Sequence, residues 1–369
     1  QILELLFSER EAGLVSLLPI KPFDVVTAAR IWKVREGEAQ TVLDELSSRG
    51  LLLDIRSGGR QRYVLPPPMA GFFEFSLMRA RPDVDQKVLS ELFHQYINVE
   101  DEFMTGLFEG GDTQLGRTFV NEDALGGDSG LHVLDYERAS HVVETSSHIG
   151  VGLCYCRHKM EHLGQACDAP LEICLTFNSV AESLTRHGIA RSVERSECLD
   201  LLLQARDRGL VQFGENVQRG VGFICHCCGC CCEALIAARR FGFLDPVHTT
   251  NFLPDIDRET CIGCGKCVTA CPVEAISLVS ANDPHRPKSK LAKLDEQICL
   301  GCGVCVPSCQ EGSLKLEPRD ERVITPVDSV HKIVTMAIER GQLQDLLFDN
   351  RTLLSHRAMA AALGAILRL

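Results

Sequence analysis

The chain has 369 residues, 45% of them apolar, with 38 basic against 50 acidic side chains and a net charge of −12. The length suggests two or three domains, and the apolar share is enough for a packed core. The acidic balance works against nucleic acid and anionic membrane as partners, no run reaches the ~18–20 apolar residues of a bilayer span, and Glu4, Glu9, Arg10 and Glu11 break up any signal-peptide core.

Residues 1–68 contain no cysteine. "KPFDVVTAAR" reads as a short helix with Lys21 and Pro22 at its start. "AQTVLDELSSRG" places Ala39, Val42, Leu43 and Leu46 on one helical face, with Gly50 as terminator. "LLLDIRSGGRQRYVL" then reads as strand, Ser-Gly-Gly turn, strand, before Pro66, Pro67 and Pro68 break the chain. Helices followed by a two-stranded wing resemble a winged helix-turn-helix. The recognition helix of that resemblance carries Glu36, Glu38, Asp44 and Glu45 against Arg35 and Arg49, the wrong sign for a phosphate-lined groove. The wing is more basic, with Arg56, Arg60 and Arg62. A protein-docking or structural module is therefore the expectation, and DNA binding is not.

Residues 69–149 read as a mainly helical connector. "QKVLSELFHQY" has helical spacing at Val88, Leu89, Leu92 and Phe93, and "YERASHVVETSS" is a second helix with Asp135 as its expected cap. His94, His141 and His148 are isolated, and no catalytic set is spaced here.

Residues 150–246 form a cysteine-rich region, read as an α/β domain. "GVGLCYCRHKMEHLGQACDAPLEIC" supplies Cys154, Cys156, Cys167 and Cys174. "GVGFICHCCGCCC" supplies Cys225, Cys227, Cys228, Cys230, Cys231 and Cys232. Both begin as a short apolar strand that delivers cysteines at its end, so two such strands side by side bring both sets to one edge. The count of nineteen cysteines is odd, and C-C or C-x-C neighbours lack the Cβ geometry of a disulfide. Metal ligation in a reducing cytoplasm is the expectation. Consecutive thiols such as Cys230, Cys231 and Cys232 point in different directions, so two further [4Fe–4S] clusters fit the ten thiols better than one. Zinc is the competing occupant, and a fused or non-cubane cluster stays open. Arg157, His158 and Lys159 place positive charge beside the ligands, as compensation for an anionic cluster or a seat for an anionic substrate. His158, His162 and His226 are alternative ligands. Cys198 lies on a face with Leu201, Leu202 and Ala205 and reads as a core residue.

Residues 247–325 carry the strongest signal. "DRETCIGCGKCVTACPVEAISL" and "DEQICLGCGVCVPSCQEGSLKL" align without gaps 38 residues apart, each with C-x2-C-x2-C-x3-C. Three thiolates at this spacing reach three irons of one cube, and the fourth opens toward the other cube. Gly263, Gly265, Gly301 and Gly303 let backbone amides approach the sulfides. The segment resembles the bacterial two-cluster ferredoxins. That resemblance implies crossed ligation: one [4Fe–4S] cluster on Cys261, Cys264, Cys267 and Cys309, the other on Cys299, Cys302, Cys305 and Cys271. Two features depart from the family. Gln310 follows Cys309 where a proline is common, as at Pro272, and "SANDPHRPKSK" lengthens the link between motifs. The insert is basic (Arg286, Lys288, Lys290) and suits docking on an acidic protein.

Residues 326–369 read as helical. Asp328 caps the first helix, Val330, Ile333, Val334 and Ala337 face inward, and Gly341 ends it. The final apolar run is expected to pack on the protein.

The expected fold is thus α+β and multidomain: winged helix, helical middle, cysteine-rich centre, ferredoxin-like module, C-terminal helices. The order of a CxCR segment, a CxCCxCCC segment and a terminal ferredoxin module resembles a group of multi-cluster iron–sulfur proteins of anaerobes, which implies electron transfer between redox protein partners in the cytoplasm. No P-loop, nucleophile elbow or G-x-G-x-x-G occurs, so no flavin or nicotinamide is expected on this chain. A substrate-reducing central site, as part of an oxidoreductase, and a redox-sensing winged-helix regulator remain the alternatives.

Overall fold

In a computed structural model, residues 1–126, 130, 132–242, 246–350 and 353–367 are described. The chain begins with helices Ile2–Leu6, Glu9–Val15, Val25–Trp32 and Glu36–Ser48, then the hairpin β1 (Leu53–Ser57) and β2 (Arg60–Val64). The third helix starts later than Lys21-Pro22 suggests, because the Asp24 side chain accepts from the Thr27 amide and caps it there. Phe23 instead bridges Tyr63, adding an extended residue to the hairpin. Ala39, Leu43 and Leu46 are fully buried on one face of Glu36–Ser48, each large side chain contributing about 2 kcal/mol of burial. Its acidic face is turned to solvent, and Gly50 terminates it at φ +74°.

The connector is helical at Phe73–Leu77, Gln86–Phe93, Glu102–Phe108 and Ala139–Thr145. Leu89 and Phe93 point inward as the spacing predicts, but Val88 is 40% exposed. Asp135 opens a short turn ahead of the last of these helices and does not cap it; Arg138 occupies the cap position. One apolar cluster joins Leu6, Leu43 and Tyr63 to Phe73, Phe93 and Phe108, and also takes in Tyr155 and Ala237 of the cysteine-rich region. The N-terminal helices, the connector and the cysteine-rich region are therefore packed as one body on that side.

The cysteine-rich region is built on a six-stranded sheet: β3 (Gly116–Thr118), β4 (Ile149–Leu153), β5 (Glu172–Phe177), β6 (Arg191–Ser192), β7 (Val211–Glu215) and β8 (Phe223–Cys227). The order is β3-β7-β8-β5-β4-β6, and every neighbouring pair is antiparallel. This corrects the expected α/β character, which would need parallel strands. The strands are short and joined by helices such as Asn178–Arg186 and Arg195–Asp207, yet the chain returns antiparallel each time.

The C-terminal part contains two antiparallel pairs, β9 (Phe252–Ile256) with β12 (Leu314–Pro318) and β10 (Ile276–Ser280) with β11 (Lys290–Leu294). The basic insert is the tip of the β10–β11 hairpin, with Lys288 and Lys290 exposed and Arg286 paired to Asp283. Helices Ser329–Glu339, Leu343–Leu347 and Leu354–Leu367 follow. Asp328 caps the first, accepting from the His331 amide at 2.8 Å. Its inward face is not the predicted one: Val330 is 71% and Ile333 48% exposed, while Lys332 is buried on Glu215 at 2.6 Å. An ion pair to the sheet, not the apolar stripe, sets the helix's rotation. In the last helix Ala360 and Gly364 are buried, whereas Met359, Ile366 and Leu367 stay exposed. Among the described residues no helix is long and apolar enough to cross a membrane.

Candidate metal centres

The two C-x2-C-x2-C-x3-C segments wrap two separate cavities. The first is lined by Cys261, Cys264, Cys267 and Cys309, with Ile256, Ile262 and Leu314 around them. The second is lined by Cys271, Cys299, Cys302 and Cys305, with Pro254, Val273 and Leu300. Each cavity takes three cysteines from one segment and one from the other, the sorting that the crossed pattern requires. Gly263 and Gly301 lie at φ +67° and +65°. A Cβ on Gly263 would stand 2.1 Å from the Lys290 carbonyl oxygen, and one on Gly301 2.1 Å from that of Phe252. The loops are thus pressed against backbone from the adjoining strands, which only glycine permits. The Gly301 and Ala275 amides donate to the sulfurs of Cys299 and Cys271, at 3.4 and 3.2 Å. Such amide–sulfur bonds stabilise thiolate charge.

The donor set fits an iron–sulfur core. Burial pushes the Cys299 and Cys302 thiols up to about 11 and about 12, so as free groups they stay protonated at neutral pH. A cationic core that displaces those protons converts the same burial into tight, dry ligation. The first cavity is the more open: Cys264 and Ile262 are exposed, whereas Cys299 and Cys305 of the second are buried.

In the centre, β4 and β8 do not lie side by side. β5 runs between them, antiparallel to both, so the ends of β4 and β8 and the start of β5 meet at one sheet edge. This edge collects Cys154 and Cys156 after β4, Cys174 on β5, and the octet after Phe223–Ile224. The ten thiols then divide into two groups. Cys227 and Cys232 are 3.1 Å apart, Cys174 and Cys225 3.7 Å. Cys154 and Cys232 are the neighbours that act most strongly on the Cys156 thiol, and Cys154, Cys174 and Cys227 all act electrostatically on Cys225. Cys154, Cys156, Cys174, Cys225, Cys227 and Cys232 therefore form one inner group. The other four, Cys167, Cys228, Cys230 and Cys231, have their sulfurs within 4.8 Å of one another. Consecutive thiols were expected to diverge. Cys231 and Cys232 do, one into each group, but Cys230 and Cys231 converge, because the turn at Gly229–Cys231 folds the chain back on itself.

Electrostatics differ between the groups. The Cys154 thiol is pushed well up by its bond to Cys156 and then by burial, and the Cys225 thiol by its bond to Cys174 and then by burial. The Cys228 thiol is instead held down at about 4, by the hydrogen bond from Cys231 and, against burial, by the Arg157 guanidinium. Arg157 is 1% exposed and fixed by bonds to the carbonyl oxygens of Pro170 and His226. Its neighbours Cys154 and Cys228 raise its own ionisation further, against the effect of burial. Of the three cationic residues read from the sequence, only Arg157 serves the thiols. Lys159 is neutralised by Glu233 and Asn98 in a buried triad, and His158 Nδ1 bonds the Leu77 carbonyl at 2.7 Å. His226 lies between Cys225 and Cys227 on β8, so its side chain faces away from theirs; its Nδ1 bonds the Ile173 carbonyl oxygen at 2.8 Å, and burial lowers it to about 4. His162 packs on His158, ring centroids 4.7 Å apart. Cys198 is wholly buried in a cluster with Leu175, Leu202 and Val221, away from both groups.

The centre and the ferredoxin-like segment share a core. Cys227, Cys232, Cys271, Cys299 and Cys302 belong to one apolar cluster with Leu235, Val273 and Leu300. Arg239 clips the two together, donating to the Gly229 carbonyl at 2.7 Å and to Glu274 at 3.1 Å. Sequence reading missed Arg239 and the Lys159–Glu233 pair; both bridge segments far apart in the chain and leave no local motif.

A model of the 4Fe–4S dicluster domain matches residues 260–324. No curated protein and no solved structure matches the chain. Taken with the two thiol-lined cavities, the match makes this segment an iron–sulfur, ferredoxin-like module with the capacity for electron transfer.

Proposed function

We propose that this chain is a multi-cluster iron–sulfur protein that relays single electrons between partner redox proteins. In this reading Cys261, Cys264, Cys267 and Cys309 hold one [4Fe–4S] cluster, and Cys299, Cys302, Cys305 and Cys271 the other. The ten central thiols supply two further metal centres, one per group, and the inner six-thiol group is the next iron–sulfur station. The order of transfer follows from exposure. Electrons exchange with a partner at the outer cavity beside Cys264 and Ile262, pass to the buried cavity, and reach the inner group through the shared apolar core. The observation that carries the reading is that core, which places Cys271, Cys299 and Cys302 in the same cluster as Cys227 and Cys232. The basic hairpin tip and the winged-helix-like N-terminal unit, with its acidic helix face, serve protein docking, and the reading places the chain in a reducing cytoplasm.

When bound, the clusters supply the one-electron chemistry. The chain's own residues exclude water, deliver amide hydrogen bonds to the sulfurs, and through Arg157 place a fixed positive charge beside the central thiols. The test is anaerobic purification with iron and sulfide quantification, followed by a potentiometric titration read by electron paramagnetic resonance. About eight irons belong to the two module clusters, and more than that, reducible at a separate potential, is expected. A preparation with no reducible cluster beyond the module's two ends the relay reading for the centre.

A further inference from the structure

Four of the central thiols have a geometry that none of the others share. Cys167 and Cys228 are 3.6 Å apart, Cys230 and Cys231 3.7 Å, and Cys231 and Cys167 3.8 Å. All four sulfurs lie within 4.8 Å of one another. A single ion bound to four thiolates at about 2.3 Å sets a tetrahedral sulfur–sulfur edge of about 3.8 Å. The ligand sulfurs of a cube sit on four different irons and diverge outward, so they stand well beyond 4.8 Å apart. The module shows that contrast within the same chain: each of its quartets lines a cavity between its loops, whereas the central four sulfurs are drawn within 4.8 Å of one another.

We infer that Cys167, Cys228, Cys230 and Cys231 bind one tetrahedral zinc ion and not an iron–sulfur cube. Zinc is the choice among divalent ions because it binds such a site more tightly than ferrous iron does and imposes no geometry of its own. The ion's position explains its use. Cys167 lies on the loop between the helix Tyr155–His162 and β5, and the other three lie on the turn after β8. Cys227 and Cys232, the residues that bracket this turn, point the other way, into the inner six-thiol group. A redox-silent ion here ties two loops into a closure over the inner group, and the same turn rests on the module at Gly229. The inference alters the identity of one centre in the relay reading and leaves the electron path through the inner group unchanged.

Zinc K-edge absorption on the anaerobically purified holoprotein tests it. About one zinc per chain, with four sulfur neighbours at about 2.3 Å, is expected. Cys230→Ser, at the exposed ligand, lowers zinc content at least about fivefold, with the resonance signals of the two module clusters unchanged. Cys167→Ser, on the other loop, behaves the same. Cys174→Ser, in the inner group, keeps the zinc. The inference is overturned if Cys230→Ser removes about four irons instead, if it leaves zinc in place, or if a single iron with a tetrathiolate spectrum occupies the quartet. Zinc in a protein without reducible central iron would leave this inference standing and remove the relay reading; iron at both central groups would do the reverse.

Discussion

Gly229 lies so close to Pro272, the residue after Cys271, that a Cβ at position 229 would stand 2.5 Å from the Pro272 carbonyl oxygen and 3.0 Å from its Cα. The turn between Cys228 and Cys230 is thus seated directly on the chain that delivers a ligand to the buried module cavity. Only a residue without a side chain allows that seat, and rigid backbone on the module side cannot yield.

Gly229→Val is therefore expected to cost about 1–3 kcal/mol through overpacking. The loss falls on the junction. Melting of the holoprotein occurs several degrees lower, and electron exchange between module and centre, followed after flash reduction, slows while the module's own reduction is unchanged. An unaltered transfer rate would show that the junction does not carry the path.

The crossed sorting of thiols makes opposite predictions for two similar substitutions. Cys309→Ser should remove or alter the cluster held by Cys261, Cys264 and Cys267, at the exposed cavity. Cys271→Ser should affect the buried one. Each loses up to about four irons, and the cluster that remains is distinguishable by its access to a bulky, water-soluble reductant, which favours the exposed site. Loss of the exposed cluster in Cys271→Ser would mean uncrossed ligation.

Among the described residues Arg157 is the one cation set among the central thiols. Arg157→Met removes a positive charge next to Cys154, Cys227 and Cys228 and should lower the potential of the inner centre by on the order of 50–100 mV, taking 59 mV per tenfold for one electron. It should also destabilise the fold, because the Pro170 and His226 carbonyl oxygens lose their donor. Arg157→Lys separates the two effects. It keeps the charge, so most of the potential returns, but a lysine cannot span both carbonyls and the melting temperature stays low.

The buried pair Lys159–Glu233 also has a signed prediction. Side-chain exposures are 0% and 2%. Glu233→Ala leaves an uncompensated ammonium in the core and should cost about 3–5 kcal/mol. The double substitution Lys159→Met with Glu233→Leu removes both charges and should recover most of that loss. Thermal unfolding of the three variants decides it; a double variant as unstable as the single would show that packing around Asn98, not charge, sets the cost.

Asp54 ties the hairpin to the cysteine-rich region through Ser183, Arg186 and His187. Burial works against its charge, but bonds from His187 and Ser183, then the charges of His187 and Arg186, outweigh it and hold the carboxyl at about 2. With a folded value below the unfolded one, its contribution of about 2 kcal/mol is complete above about pH 4 and disappears as the pH falls toward 2. Asp54→Asn should therefore lower stability at neutral pH and flatten the acid limb of the stability curve between those values.

What the sequence alone determined was the chemistry that is local in the chain. Repeated C-x2-C-x2-C-x3-C spacing with glycines between the cysteines specifies the ferredoxin-like segment, because three of the four cysteines lining each cavity lie within a dozen residues of one another. Helix faces governed by apolar spacing were likewise legible at Ala39, Leu43 and Leu46. Only the tertiary structure decided how the ten central thiols divide, since that depends on β5 inserting between β4 and β8 and on a turn at Gly229 that sends Cys231 and Cys232 opposite ways. It also decided that Arg157 faces the thiols while Lys159 is consumed by Glu233, and that Lys332 rather than Val330 and Ile333 turns inward. For Arg157, Lys159 and Lys332 the deciding partner lies more than 60 residues away in the chain, and spacing within a segment carries no information about an electrostatic or packing contact at that range.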